Sequence, residues 1–244
     1  MNIKKHIPNT ITCGNLFCGC LAIVQAFEGN LEWAAYLVFL AAILDFFDGF
    51  AARMLKVTSP IGKDLDSLAD MVTFGVVPGI VVFQYLNAIE GSMSQYTFIL
   101  NEYEWLNYSA FILAIFSAVR LAKFNNDIRQ SDSFIGLPTP ANAIFWCSII
   151  FLQDSKTALS FINPYSMMVG VFLFSMLLIS EIPLFALKFR HFTWSGNRLR
   201  FSFLGMSLLL LIAFQLQGIP LIIIVYILFS VVVDLVQNSR RRAS

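Results

Sequence analysis

The chain has 244 residues, of which 58% are apolar and only 13% charged, with a formal net charge of +1. Soluble domains carry about 25% charged residues, so this composition, with a mean hydropathy of +0.74, excludes an ordinary water-soluble domain, and the sequence has no basic patch interleaved with aromatics that would point to nucleic acid. It points to an all-α polytopic membrane protein, a bundle of about eight spanning helices forming one domain over residues 1–244.

In chain order, residues 1–10 (MNIKKHIPNT) are basic and read as a short interfacial segment, with Pro8-Asn9-Thr10 leading into a capped helix. No small-residue cleavage site follows, so the first apolar run is expected to stay in place. Spanning segments are expected at about 11–27, 31–55, 66–87, 104–123, 138–153, 164–187, 199–216 and 219–238, each near the ~20 residues that cross a bilayer core. Only Gln217-Gly218 separates the last two, which would also suit a re-entrant hairpin. Cys13, Cys18, Cys20 and Cys147 read as small packing residues rather than a disulfide or metal framework.

Loop charge sets the orientation. One side of the eight-span arrangement carries Lys4, Lys5, Arg53, Lys56, Lys63, Arg120, Lys123, Arg129, Lys188, Arg190, Arg198, Arg200 and Arg240 to Arg242, against Lys156 on the other. Glu28, Glu32, Glu90, Glu102, Glu104 and Asp154 collect opposite. Both termini are therefore expected in the cytoplasm, in the cell (inner) membrane.

Asp45, Asp48, Asp66 and Asp70 interrupt this apolar chain. A carboxylate at the bilayer centre costs roughly 2.5–3.5 kcal/mol on insertion scales, so four together require a compensating role. Asp45 and Asp48 are three apart and Asp66 and Asp70 four apart, so each pair shares a helical face. Pro60 and Gly62 favour a bend between them, which would bring both pairs together at the cytoplasmic edge. Clustered carboxylates need a cation, and hard oxygen donors suit Mg²⁺, Mn²⁺ or Ca²⁺. Gly49, Ala51 and Ala52 leave the neighbouring turn bare, and Arg53 is placed to meet a carboxylate or phosphate. Taken singly, such acids are often solvated charges at helix ends, with Asp66 near a helix N-terminus; Asp64 fits that description.

The order Asp45-x2-Asp48-Gly49-x2-Ala52-Arg53-x8-Gly62-x3-Asp66-x3-Asp70 resembles the signature of the CDP-alcohol phosphatidyltransferases. The runs IPNTITCGNLFCGCLAI, SAVRLAKFN, GLPTPANA and ISEIPLFALKFR resemble the phosphatidylserine synthase branch of that family. The resemblance implies phosphatidyl transfer from CDP-diacylglycerol to L-serine, with CMP released and a divalent metal required. It implies metal ligation by Asp45, Asp48, Asp66 and the nearby Asp70, and Asp70 as general base. Asp48, Gly49, Ala52, Arg53 and Gly62 would shape the CDP site, and a homodimer is expected.

Serine carries a carboxylate, so its site should hold a cation. Arg120 and Lys123, one turn apart, with Asn125 and Ser117, are the acceptor-binding candidates. Each has a plainer reading: positive-inside flanking charge for the two cations, and a hydrogen bond to its own helix for Ser117. Pro138, Thr139 and Pro140 mark a loop into the fifth span, and Glu181 and Pro183 a kink near the end of the sixth. Asp234 is expected to balance the Arg240 to Arg242 tail. Three rivals stand beside serine transfer: the same reaction with glycerol phosphate or inositol phosphate as acceptor, an ion-coupled transporter, whose acids should instead lie mid-membrane in both halves, and a non-catalytic membrane scaffold, which would not require the aspartates.

Overall fold

The computed structural model describes residues 6–57, 59–92, 104–127, 133–153, 162–185 and 194–243. Arg129, Lys156, Lys188 and Arg190 lie outside them, as do the side chains of Arg240 to Arg242.

Helix α1 (His6–Phe27) starts five residues earlier than the sequence pattern suggests. Pro8 sits in its first turn, where a missing N–H costs nothing. After a turn at Gly29 (φ +83°), α2 (Leu31–Leu55) returns antiparallel. The two pack through small side chains: Ala22 and Ala26 of α1 and Ala34, Ala35 and Ala41 of α2 are fully buried, which lets the backbones approach closely. Helix α2 ends at Lys56 in the left-handed region (φ 51°), whose N–H reaches the carbonyls of Ala52 and Arg53.

Helix α3 (Pro60–Asp70) opens on an N-cap at Ser59, whose side chain accepts from the Gly62 N–H at 3.4 Å, with Pro60 at the first helical position. This third apolar stretch therefore begins at residue 60 rather than 66, and Asp66 lies in mid-helix rather than at an N-terminus. A π-helical segment, Met71–Val76, follows Asp70 directly and runs into α4 (Val77–Ser92). The next run opens as a 3₁₀ helix (Glu104–Phe111) and continues as α5 (Ile112–Asn126).

A two-stranded antiparallel ribbon joins β1 (Ser133–Ile135) to β2 (Pro183–Phe185). Helix α6 (Thr139–Ser148), extended by a 3₁₀ turn at Ile149–Leu152, and α7 (Pro164–Ile179) lie between the strands in sequence. Helix α7 thus stops well short of residue 187, and Glu181 and Pro183 lie beyond it instead of kinking it. The reason lies in tertiary contacts with the stretch around residue 136. Gly136 (φ +76°) fits against the end of α7, and the Gly136 and Leu137 N–H groups donate to the carbonyls of Ile182 (3.0 Å) and Leu177 (2.9 Å).

Among the described residues, five stretches are long and apolar enough to cross a membrane: 6–27, 31–55, 60–88, 106–126 and 197–235. Helices α6 and α7 are shorter apolar segments. The stretch 197–235 comprises α8 (Trp194–Phe214) and α9 (Gly218–Ala243), separated by a 3₁₀ turn at Gln215–Gln217 with Gln215 at φ 52°. In one straight helix Phe203 and Tyr226 would lie roughly 34 Å apart; their ring centroids are 5.7 Å apart. The two helices therefore fold back on each other.

The main core is built from α1, α2, α4 and α6. A second cluster joins Leu137, Leu178, Leu184, Phe203 and Tyr226, binding the ribbon to the α8–α9 hairpin. Large apolar side chains including Phe17, Phe46, Phe50, Leu209 and Ile212 face outward, as expected of helices solvated by lipid.

Candidate active site

The turn between α2 and α3 sets two helices side by side, and their shared face carries the aspartates. Asp45, Asp48 and Asp66 each present a carboxylate oxygen to a common point, the three lying within 4.8 Å of one another. Asp70, one turn beyond Asp66, falls outside that trio but within hydrogen-bonding reach of Asp45. Asp48 (5% exposed) and Asp70 (9%) are buried, whereas Asp45 and Asp66 are half-buried. Asp64 is exposed, as a surface charge should be.

The first helix holds these acids in place. Thr12 donates from Oγ1 to Asp48 Oδ2 at 2.7 Å, and Asn15 donates from Nδ2 to Asp70 Oδ1 at 3.2 Å. Thr73, in the π-helical segment, donates to the Asn15 carbonyl at 3.2 Å. A methyl group on Gly19 would collide with Thr73, so only glycine permits this approach. Sequence reasoning did not single out Thr12 or Asn15 as site residues. The available signal was the spacing of Pro8, Thr12, Asn15 and Gly19, small and polar residues on one face of an apolar helix.

A cavity of about 530 Å³ opens beside two of the trio, Asp48 and Asp66. Asp48 and Asp66 form its acidic wall, Gly49, Ala52 and Gly62 its bare one, and Pro8, Asn9 and Thr12 bring α1 into the lining, with Lys63, Ser59 and Val57 completing it. At Gly62 an added Cβ would stand 2.9 Å from Asn9 Oδ1, so glycine keeps the cavity open between α1 and α3. Arg53 is exposed, with its guanidinium lying over Gly49: a Cβ there would be 3.2 Å from Nη1.

The four acceptor candidates separate. Ser117 and Arg120 are buried. Arg120 donates from Nε to the Leu137 carbonyl at 2.8 Å, lies 5.2 Å from the Phe124 ring centre, and is close enough to Asp70 and Tyr226 to interact electrostatically with both. The Ser117 hydroxyl has no hydrogen-bond partner among the described residues, so the expected bond to its own helix does not form. Lys123 is exposed and borders a small cleft with Arg120, Asp127 and Glu181. Asn125 donates to Ser67 Oγ at 2.8 Å and accepts at its carbonyl from Lys63 Nζ at 2.9 Å, fastening α5 to α3 rather than facing the cavity.

Three carboxylate oxygens converging from two rigid helices form a hard donor set suited to Mg²⁺, Mn²⁺ or Ca²⁺, and the residues present fit a divalent cation. Fold and site together define a polytopic helical membrane protein with a convergent cluster of carboxylates at one end of its bundle.

The chain belongs to the CDP-alcohol phosphatidyltransferase family, whose model matches residues 5–194. It is 37% identical over 190 residues to a CDP-diacylglycerol–serine O-phosphatidyltransferase of Bacillus subtilis (strain 168), covering 77% of this chain and 92% of that protein. A protein of the same name from Helicobacter pylori (strain J99) is 34% identical over 178 residues, covering 72% of this chain and 70% of the other. An archaetidylserine synthase of Methanothermobacter thermautotrophicus is 29% identical over 157 residues, 59% of each chain.

Proposed function

We propose that this protein transfers the phosphatidyl group of CDP-diacylglycerol to L-serine, giving phosphatidylserine and CMP in a divalent-metal-dependent reaction. The observation that carries the reading is the convergence of Asp45, Asp48 and Asp66 beside the open wall formed by Gly49, Ala52 and Gly62. Asp45, Asp48 and Asp66 would hold the cation, with Asp70 behind them. When bound, the cation would supply charge neutralisation for the pyrophosphate and the departing CMP. Gly49, Ala52 and Gly62 admit the cytidine diphosphate group, and Arg53 at the cavity edge meets a phosphate.

Asp70 accepts the serine hydroxyl proton. The serine oxygen bonds to the lipid-side phosphorus as the bond from that phosphorus to the oxygen of CMP breaks. Asn15 holds one Asp70 oxygen by its hydrogen bond, which orients the carboxylate for the proton. Arg120 pairs with the serine carboxylate, and Ser117 and Lys123 line its approach, with Asn125 holding the end of α5 in place. Arg120 is the one buried cation among the described residues. A single buried guanidinium matches a carboxylate better than a phosphate dianion, which favours serine over glycerol phosphate or inositol phosphate.

The chain works as one domain with eight membrane passes: the five long stretches, with 197–235 counted as two, plus α6 and α7. The site and both termini face the cytoplasm, and the protein assembles as a homodimer. The test is CMP release from CDP-diacylglycerol in detergent, with serine, glycerol 3-phosphate or inositol phosphate offered in turn. Serine-dependent release that stops in excess EDTA and resumes with Mg²⁺ or Mn²⁺ is expected. Release driven by either phosphate acceptor instead of serine refutes the acceptor, and full activity in EDTA refutes the metal requirement.

A further inference from the structure

The family match ends at residue 194, yet the hairpin beyond it reaches back to the site. Tyr226 of α9 is 7% exposed and packs on Phe203 of α8 and in the cluster that holds Leu137. The Leu137 carbonyl accepts the Arg120 Nε–H at 2.8 Å, and the Tyr226 phenol is itself close enough to Arg120 for electrostatic interaction. Arg120 in turn interacts with Asp70. A guanidinium has five N–H donors in a fixed plane. Nε is tied to the Leu137 carbonyl, and Tyr226 packs in the same cluster as Leu137, which places the hairpin directly behind the guanidinium. The α8–α9 hairpin thus packs, through Tyr226, on the residue whose carbonyl holds Arg120.

We propose that the hairpin completes the acceptor side of the site, with Tyr226 as a positioning residue that fixes Arg120 toward Asp70 and so sets affinity for the carboxylate-bearing acceptor. This inference rests on serine being the acceptor. It distinguishes Tyr226 from a residue that only fills space, because the hydroxyl and the ring then do separable work. The ring packs against Phe203 and Leu137; the hydroxyl acts on Arg120.

The experiment uses the full chain in detergent, following CMP release while serine and CDP-diacylglycerol are varied separately. Tyr226→Phe keeps the ring. Its KM for serine should rise by about 3–10-fold, the change expected from a lost polar contact to a charged group, with KM for CDP-diacylglycerol and the thermal unfolding midpoint unchanged. Because Tyr226 acts through Arg120, the effect should vanish in an Arg120→Lys background, where Tyr226→Phe adds nothing further. Equal serine KM for wild type and Tyr226→Phe overturns the inference, as does the same fold-change in both backgrounds. A Tyr226→Phe protein that fails to fold also overturns it, since the hydroxyl would then be structural. A wild-type protein that releases no CMP on addition of serine refutes the proposed function and this inference with it, whereas an active wild type with an unaltered variant refutes the inference alone.

Discussion

Asp48 and Asp70 are each held by a side chain of α1, and the two contacts have different consequences. Thr12 donates to an Asp48 oxygen at 2.7 Å, fixing the direction of a carboxylate that belongs to the converging trio proposed to hold the cation. Groups that orient a metal ligand typically contribute 10–100-fold to metal affinity. Thr12→Val, similar in shape but without the hydroxyl, should therefore raise the Mg²⁺ or Mn²⁺ concentration for half-maximal activity by about that factor, with kcat at saturating metal far less affected. A metal titration of CMP release measures it, and an unshifted midpoint would show that the hydroxyl is only a packing contact. Asp70 lies outside the trio of converging oxygens, and the role proposed for it is proton transfer. Asp70→Asn keeps the shape and the neighbours but cannot accept the proton, so kcat should fall by about 10²–10⁴-fold. Retention of near-normal turnover in a folded Asp70→Asn protein would remove the residue from the mechanism.

At the scale of elements, two glycines behave oppositely under the same substitution. A methyl group on Gly62 would meet the end of the Asn9 side chain at 2.9 Å, which can swing aside into the cavity. Gly62→Ala should fold normally but raise KM for CDP-diacylglycerol, because the displaced amide occupies substrate space. Gly136 has φ +76°, and a methyl group there would face the Leu178 and Ser180 carbonyls at 2.6 and 2.8 Å. Backbone cannot swing aside, and a left-handed residue with a Cβ costs roughly 1–2 kcal/mol besides. Gly136→Ala should lower the unfolding midpoint and loosen the ribbon that presents the Leu137 carbonyl to Arg120; an unchanged midpoint would count against that view. The same contrast marks what was legible in the sequence. The Asp45–Asp48 and Asp66–Asp70 pairs were readable because burying acids demands a reason and helical spacing assigns their face. The contributions of Thr12 and Asn15 were not, because such residues in an apolar helix usually bond to their own backbone and the partner 36 or 55 residues away is set only by tertiary packing. The end of α7 at Ile179 was hidden for a related reason: the chain stays apolar past it, and a strand pairing with residues 133–135 decides where the helix stops.

Across the whole molecule, helix direction fixes what must lie on each side of the membrane. Helix α1 enters from the cavity end and α2 returns to it, so the turn at Glu28–Asn30 and the mouth lined by Lys63 are at opposite ends of the same pair. The excess of Lys and Arg assigned to the cavity end predicts, by the positive-inside rule, that this end is cytoplasmic, where water-soluble serine and CMP would enter and leave without crossing the bilayer. Glu28 and Lys63 are both exposed, and each can carry a reporter thiol once Cys13 and Cys20, the exposed native cysteines, are replaced by serine. In sealed right-side-out vesicles a membrane-impermeant maleimide should modify Glu28→Cys and leave Lys63→Cys untouched; in inverted vesicles the pattern should reverse. Bound CDP-diacylglycerol analogue should then slow modification of Lys63→Cys in the inverted vesicles, because that side chain borders the cavity, while Glu28→Cys reacts at its original rate after detergent opening. Modification of Lys63→Cys from the outside would place the aspartates on the wrong face for a cytoplasmic nucleotide, and the orientation with its substrate route would fall together.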